Sequence, residues 1–220
     1  MPHPTSTTRN SLNTECIYIT YLFTPSIPLE NKKKFTKDLY FCSPKITNKM
    51  ALIREVRGFE PKFGNNVFLA ENATIVGDVV IGDDCSIWFN AVLRGDVNSI
   101  RVGNKVNIQD GAVLHTLYQK SVIEIGNNVS IGHNAVIHGA KIEDNVLIGI
   151  GATILDHAVI GSNSIIAANA LVLSNTIVEP NSVYAGVPAK KVKDIEPHQT
   201  AEMINKIANN YLMYASWYKE

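Results

Sequence analysis

From Ile142 to Tyr184 an aliphatic or aromatic residue recurs every six positions: Ile142, Ile148, Ile154, Ile160, Ile166, Val172, Val178, Tyr184. Four places after each stands a small or β-branched residue or a proline: Val146, Ala152, Ala158, Ser164, Ala170, Thr176, Ser182, Pro188. A period of six fits neither the 3.6-residue period of a helix nor the alternation of long strands. Sustained over this many cycles, it specifies a parallel β-helix. Each six-residue unit supplies one short strand and one turn. The aliphatic residue points inward, the small residue lets the corner close, and Gly, Asn or Asp fills the turn. Three units make a triangular coil, and coils stack at strand spacing, about 4.8 Å.

The rhythm starts at Leu69 and continues through Ile75, Ile81, Ile87 and Leu93. It then skips twice, by nine residues from Leu93 to Val102 and by eleven from Leu114 to Ile125. An insertion in a solenoid is expected to be extruded as a loop, and loops carry function. Upstream, Phe59 and Phe63 are expected to cap the open end, because a terminal coil must cover its core. Downstream of Lys190 the spacing turns helical. Ile204, Ile207, Ala208, Tyr211, Ala215 and Tyr218 share one helix face. The expected organisation is a solenoid over 50–189 and a C-terminal helix in 190–220, lying on the solenoid or on a neighbouring subunit.

Residues 1–49 show no six-residue rhythm. They hold seven Lys or Arg against three acids, although the whole chain is balanced at 20 and 20. The apolar stretch from Cys16 to Leu29 is broken by Pro25 and Pro28 and lacks the start and cleavage site of a signal peptide. The expectation is an extension without ordered structure, with Met50 as the working start and a cytoplasmic location. A transit peptide and an organelle are the alternative. No apolar run reaches the roughly 18 residues of a membrane span, and zero net charge gives no reason to expect a nucleic-acid or membrane partner. Cys16, Cys42 and Cys85 have no metal-binding spacing and form no even disulfide set. Cys85 stands four after Ile81, an inward small position, and reads as a buried thiol.

Three of the six histidines fall between 115 and 138, where the rhythm is broken. His115 follows the inward Leu114 by one place, and His138 follows the inward Ile137 by one. Their separation of 23 is one coil of 18 plus an insertion of five. They should therefore point outward from one face in adjacent coils, about 5 Å apart at the backbone. Two such imidazoles can share a metal, and a hydrolytic zinc site commonly takes three protein nitrogens. His133 is the natural third ligand, but it follows Ile131 by two and belongs to another face. One chain does not close the site, whereas a second subunit in a cyclic oligomer could. Arg94, Asp96, Asn107, Gln109 and Asp110 lie in or beside the irregular coils. An Arg–Asp pair among them suits an interface.

The runs Asn90-Ala-Val-Leu-Arg-Gly-Asp96, Asn107-Ile-Gln-Asp-Gly-Ala-Val-Leu-His115 and Gly132-His133-Asn-Ala-Val-Ile-His138-Gly139 resemble the gamma-class carbonic anhydrase family. The resemblance spans nearly all of 50–220. It implies a left-handed β-helix, a homotrimer, and a metal at each interface where carbon dioxide and bicarbonate are interconverted. On that resemblance His115 and His138 are ligands from one subunit and His133 is the ligand from its neighbour. Gln109 contacts the reacting water, and Tyr211 approaches the site from the helix. Arg94 and Asp110 form an intersubunit ion pair, and Asp96 is a second interface acid. Zinc is the expected metal, and imidazole also suits iron and cobalt.

The resemblance fails at the proton relay. Val97 stands where the best-known active members carry glutamate. The loop Thr116-Leu-Tyr-Gln-Lys-Ser121 has no carboxylate, and Met213 replaces a polar residue. Slow hydration is the expectation, with Glu124 as the substitute acid. Two other readings stay open: an acyl-CoA-dependent hexapeptide acyltransferase, supported by Gly186-Val-Pro-Ala-Lys190, and a catalytically quiet metal-binding trimer.

Overall fold

The structure, a computed structural model, describes residues 50–218. The expectations for 1–49, including Cys16 and Cys42, lie outside the described residues. From Leu52 the chain winds as a parallel β-solenoid of seven coils with three faces. The first face carries the inward residues Ile75, Leu93, Leu114, Ile137, Ile154 and Val172, paired coil to coil in register. The second carries Ile81, Val102, Ile125, Ile142, Ile160 and Val178. The third carries Leu69, Ile87, Ile108, Ile131, Ile148, Ile166 and Tyr184.

The six-residue reading explains this core. Nearly all of these side chains are shielded from water, and Ala73, Cys85, Ala91, Val106, Ala112, Val129, Ala135 and Val146 fill the corners between them. Burial pushes the Cys85 thiol up to about 11, so it stays protonated and inert. Corners repeatedly use asparagine with positive φ, as at Asn134, Asn145, Asn163 and Asn181. Asn tolerates the left-handed region, and its amide also bonds to the coil above or below, as Asn163 Nδ2 does to Asn181 Oδ1 at 3.1 Å.

The first insertion is not a loop. Val92–Val102 runs as one strand around a corner beside Thr74–Ile81, with a register shift between Gly77 and Val79. Asp96–Ser99 stand opposite the single residue Asp78 and enter as a bulge, which re-aims side chains without leaving the sheet. Gly77 makes the turn possible. Its φ is +76, and a Cβ there would lie 2.4 Å from the Gly95 carbonyl oxygen. The second insertion is extruded, with Leu117, Tyr118, Gln119 and Lys120 exposed. Two end-of-solenoid expectations also change. Phe63 packs on the core while Phe59 stays 51% exposed, because Phe59 belongs to a small turn closed by the Val56–Phe59 bridge. At the other end Ala189, not Pro188, closes the last corner.

After the coils a strand, Lys190–Asp194, runs antiparallel to Ser182–Ala185. The helix α1 then spans Pro197–Ser216. At 1.5 Å per residue it is about 30 Å long, which matches six coil steps of about 4.8 Å. It lies on this chain's own third face against Ser86–Ile87 and Ser130–Ile131. Ile204, Ala208 and Ala215 are buried, while Tyr218 at the end is not. Among the described residues no helix is long and apolar enough to cross a membrane.

Replacing Ile148, fully buried in the fifth coil, with Ala should cost about 2–5 kcal/mol, the range for a deleted core aliphatic group. The check is the shift of the denaturant midpoint in equilibrium unfolding.

Candidate metal centre

Arg94, His115 and His138 occupy one column on the first face, in register on three successive coils. The imidazole centres of His115 and His138 are 5.3 Å apart, and His115 Nδ1 lies 3.3 Å from His138 Nε2. His138 Nδ1 is 2.8 Å from Asp156 Oδ2. A carboxylate only accepts, so His138 carries its proton on Nδ1 and donates it to Asp156. Asp156 also accepts from Ser121 Oγ at 2.6 Å. Burial alone would raise the Asp156 carboxyl, but the hydrogen bonds from Ser121 and His138 outweigh it and hold it below the usual range.

His133 sits in the turn before the strand Val136–His138, at the opposite end of that strand from His138. Its Nδ1 lies 2.8 Å from Asp110 Oδ2, so the same logic leaves its Nε2 free. Among the described residues no three His, Cys, Asp or Glu side chains of one chain come together closely enough to hold a metal. One chain thus presents two half-sites, the His115–His138 pair and the lone His133.

The remaining candidates divide between these half-sites. Within the chain Arg94 pairs with Asp96, Nη1 to Oδ2 at 2.7 Å. Burial works to raise the Asp96 carboxyl, and the hydrogen bond and charge of Arg94 overcome it and keep it low. Gln109 lies on the third face, buried, and donates from Nε2 to Asn107 Oδ1 at 3.0 Å. Tyr211 and Asp110 line one cleft of about 320 Å³ with Trp88, Tyr214 and Trp217. Glu124 stands on the second face, flanked in register by Arg101 and Lys141, so it belongs to a charged surface ladder and not to the histidines' surroundings.

The hydrogen bonds lead to one unresolved contact. His138 Nε2, left without a proton, accepts from His115 Nδ1. His115 Nε2 then presents a lone pair to Asp96 Oδ1, 3.4 Å away. Both atoms are buried and neither has a hydrogen-bond partner. Two facing acceptors cost free energy that a proton or a cation would relieve. Burial, and then the Arg94 charge, lower the His115 pKa against the opposing pull of Asp96, which disfavours the proton. Neutral imidazole is a good ligand for zinc, iron or cobalt, so the residues fit a cation. Asp156 and Ser121 escape a sequence reading that follows only the slot after each inward residue. Their signal is positional: the coil from Ile137 to Ile154 is 17 residues, so Asp156 stands one coil after Gly139, the residue next to His138.

A solenoid of six-residue units defines a class, the hexapeptide-repeat proteins. Residues 60–95 and 139–174 match the bacterial transferase hexapeptide (six repeats) family. A carbonic anhydrase of Geobacillus kaustophilus is 43% identical over 168 residues, 76% of this chain and 91% of that one. Gamma carbonic anhydrase 2, mitochondrial, of Arabidopsis thaliana is 41% identical over 160 residues, 70% of this chain and 57% of that one. The crystal structure of a hexapeptide transferase family protein from Anaplasma phagocytophilum superposes with a TM-score of 0.72 at 36% identity, covering 76% of this chain and 98% of that one. The chain belongs to the gamma-class carbonic anhydrase family.

Burial, and next the charge of Asp110, push the Tyr211 phenol up to about 12. The difference in near-ultraviolet pH titration between wild type and Tyr211→Phe should therefore show a phenol that ionises near pH 12, not near the usual 10.0.

Proposed function

We propose that this protein is a metal-dependent carbonic anhydrase of modest rate that works as a homotrimer, with one metal site at each subunit interface. The observation that carries this reading is the pair His115 and His138, in register, with one ring oriented by a carboxylate and the other ending in an unsatisfied buried nitrogen. His133, oriented by Asp110, completes the set from a neighbouring subunit. The surface between the half-sites supports assembly. Val92, Val113, Val136, Leu155 and Leu171 point outward along the first face and are only half-buried in the single chain.

Zinc is the preferred metal, with ferrous iron or cobalt also compatible with the ligands. When bound, the metal supplies an acidified water as nucleophile near neutral pH, an effect for which carbonic anhydrases are the standard example. The chain's own residues do the rest. Asp156 and Asp110 each face Nδ1 of their ring, which leaves Nε2 of His138 and of His133 as the nitrogen for a metal. Gln109 and Tyr211 stand on the His133 side, where a substrate oxygen would be oriented. Asp96, kept ionised by Arg94, offers its free Oδ1 beside His115. Addition of water to carbon dioxide gives bicarbonate and one proton, and that proton must leave. The loop from Thr116 to Lys120 has no acid to carry it, so slow turnover is part of the reading. A cytoplasmic location, or an organelle if residues 1–49 act as a transit peptide, completes the proposal.

Metal content per subunit and carbon dioxide hydration should be measured on one tag-free sample. About one metal ion per subunit, as the cyclic symmetry requires, and hydration abolished by chelators are expected. His133→Ala should strip the metal and loosen the trimer. Unchanged metal content in that variant would defeat the ligand assignment. Metal without hydration would point to a quiet metal-binding trimer. No metal after aerobic and anaerobic preparation alike would turn the reading to an acyltransferase.

A further inference from the structure

Asp156 lies in none of the segments that carry the family resemblance, yet it is the best-bonded carboxylate near the paired histidines. It joins two parts of the chain. Oδ2 accepts from His138 Nδ1 at 2.8 Å, and Oδ1 accepts from Ser121 Oγ at 2.6 Å. Ser121 is itself fixed. Its Oγ accepts the Leu117 backbone N–H at 2.9 Å, and its carbonyl accepts from Asn98 Nδ2 at 2.8 Å. The loop after His115 is therefore tied back to His138 through this one carboxylate.

The backbone leaves room for the arrangement. Gly139, directly after His138, has φ +59, and a Cβ there would meet Ser121 Oγ at 2.1 Å and Asp156 Oδ1 at 2.2 Å. Only glycine lets the serine and the aspartate close on the histidine. A ring held at one nitrogen by a charged acceptor is fixed in both tautomer and orientation.

We propose that Asp156, braced by Ser121, is a positioning residue that commits the His138 proton to Nδ1 and so makes Nε2 the metal-binding atom. Asp156 contacts neither metal nor substrate; it acts through His138. The inference rests on the metal-binding reading of the site. It goes beyond that reading by placing control of affinity on a residue outside the ligand set, and by giving the short loop after His115 a structural link to the metal centre.

The test uses the full chain, with zinc alone as the probe. Zinc affinity is measured by chelator competition, and the His138 tautomer by nitrogen NMR of the histidine rings in metal-free protein. Wild type should show the proton on Nδ1. Asp156→Ala should move it to Nε2 and weaken zinc binding about 10–100-fold, the usual effect of losing such an outer carboxylate. Asp156→Asn keeps an oxygen that can accept the ring N–H, so it should retain the Nδ1 tautomer and lose less affinity. A merely structural role would lower the melting temperature of both variants without this ordered pattern. Ser121→Ala, which leaves ring and carboxylate intact but unbraced, should weaken binding severalfold. It keeps the question open to measurement if the alanine variant at 156 does not fold. A wild-type proton on Nε2 overturns the proposal. So does zinc affinity within about twofold of wild type in both Asp156→Asn and Ser121→Ala, far short of the usual outer-carboxylate effect. If wild type itself binds no zinc, the metal reading fails, while the tautomer measurement still decides what Asp156 does to the ring.

Discussion

Everything distinctive about this chain depends on in-register parallel stacking of its coils. Backbone ladders between successive coils set which outward side chains are neighbours, because inward and outward positions alternate strictly along a strand. A slip of one residue between the strands ending at His115 and His138 would turn one histidine into the core and expose Leu114 or Ile137. The extra residues between these coils are discharged in the turn from Leu117 to Lys120, so the register survives. The same ladder places Arg94 above His115 and aligns Val92, Val113 and Val136. A hydrophobic core of stacked aliphatic residues thus fixes the spacing of a polar site on the outside.

The core and the histidine pair were readable because both follow from counting. A residue one place after an inward aliphatic faces out wherever it occurs, and 23 residues separate His115 from His138. Counting failed where a side chain could choose among partners. Asp96 is two places after Arg94 on the same strand, hence on the same face, and this makes their pairing legible in retrospect. Asp156 sits at a corner, where direction depends on the local turn rather than on alternation. Glu124 follows the inward-pointing Ile123, yet its face belongs to a charged ladder. The nine-residue gap after Leu93 gave no hint that glycines at 77 and 95 let two strands bend together. Close backbone approach, which only these glycines permit, decided between a bulged strand and a loop.

Two of the three histidines share one electrostatic device. His138 donates from Nδ1 to Asp156, and His133 sets Nδ1 2.8 Å from Asp110 Oδ2. In each case a carboxylate selects the tautomer and leaves Nε2 as the basic nitrogen. His115 differs. Its neighbours are a cation, Arg94, and an acid already engaged by that cation, so its nitrogen at Asp96 is left without a donor. Such a buried, unrelieved contact in an otherwise well-bonded surface is the physical sign of an unmet requirement for positive charge.

The single-chain contacts also bear on how the two half-sites would meet. Arg94 gives one nitrogen to Asp96, and Asp110 takes its contact from His133 through one oxygen. A guanidinium has five N–H donors, and a carboxylate accepts several hydrogen bonds. In the proposed trimer, an Arg94 that reaches a neighbouring Asp110 need not release Asp96, and that Asp110 need not release His133. The interface ion pair would then form a continuous bridge, Asp96 to Arg94 to Asp110 to His133, running from one half-site to the other. Each half-site would arrive at the interface with its tautomers already chosen. Assembly would add the connecting hydrogen bonds, and a metal on His138 Nε2 would displace the His115 Nδ1 contact there. That economy favours a metal centre shared between subunits over one built within a chain, because the strand Val136–His138 separates His138 from His133 in the turn before it.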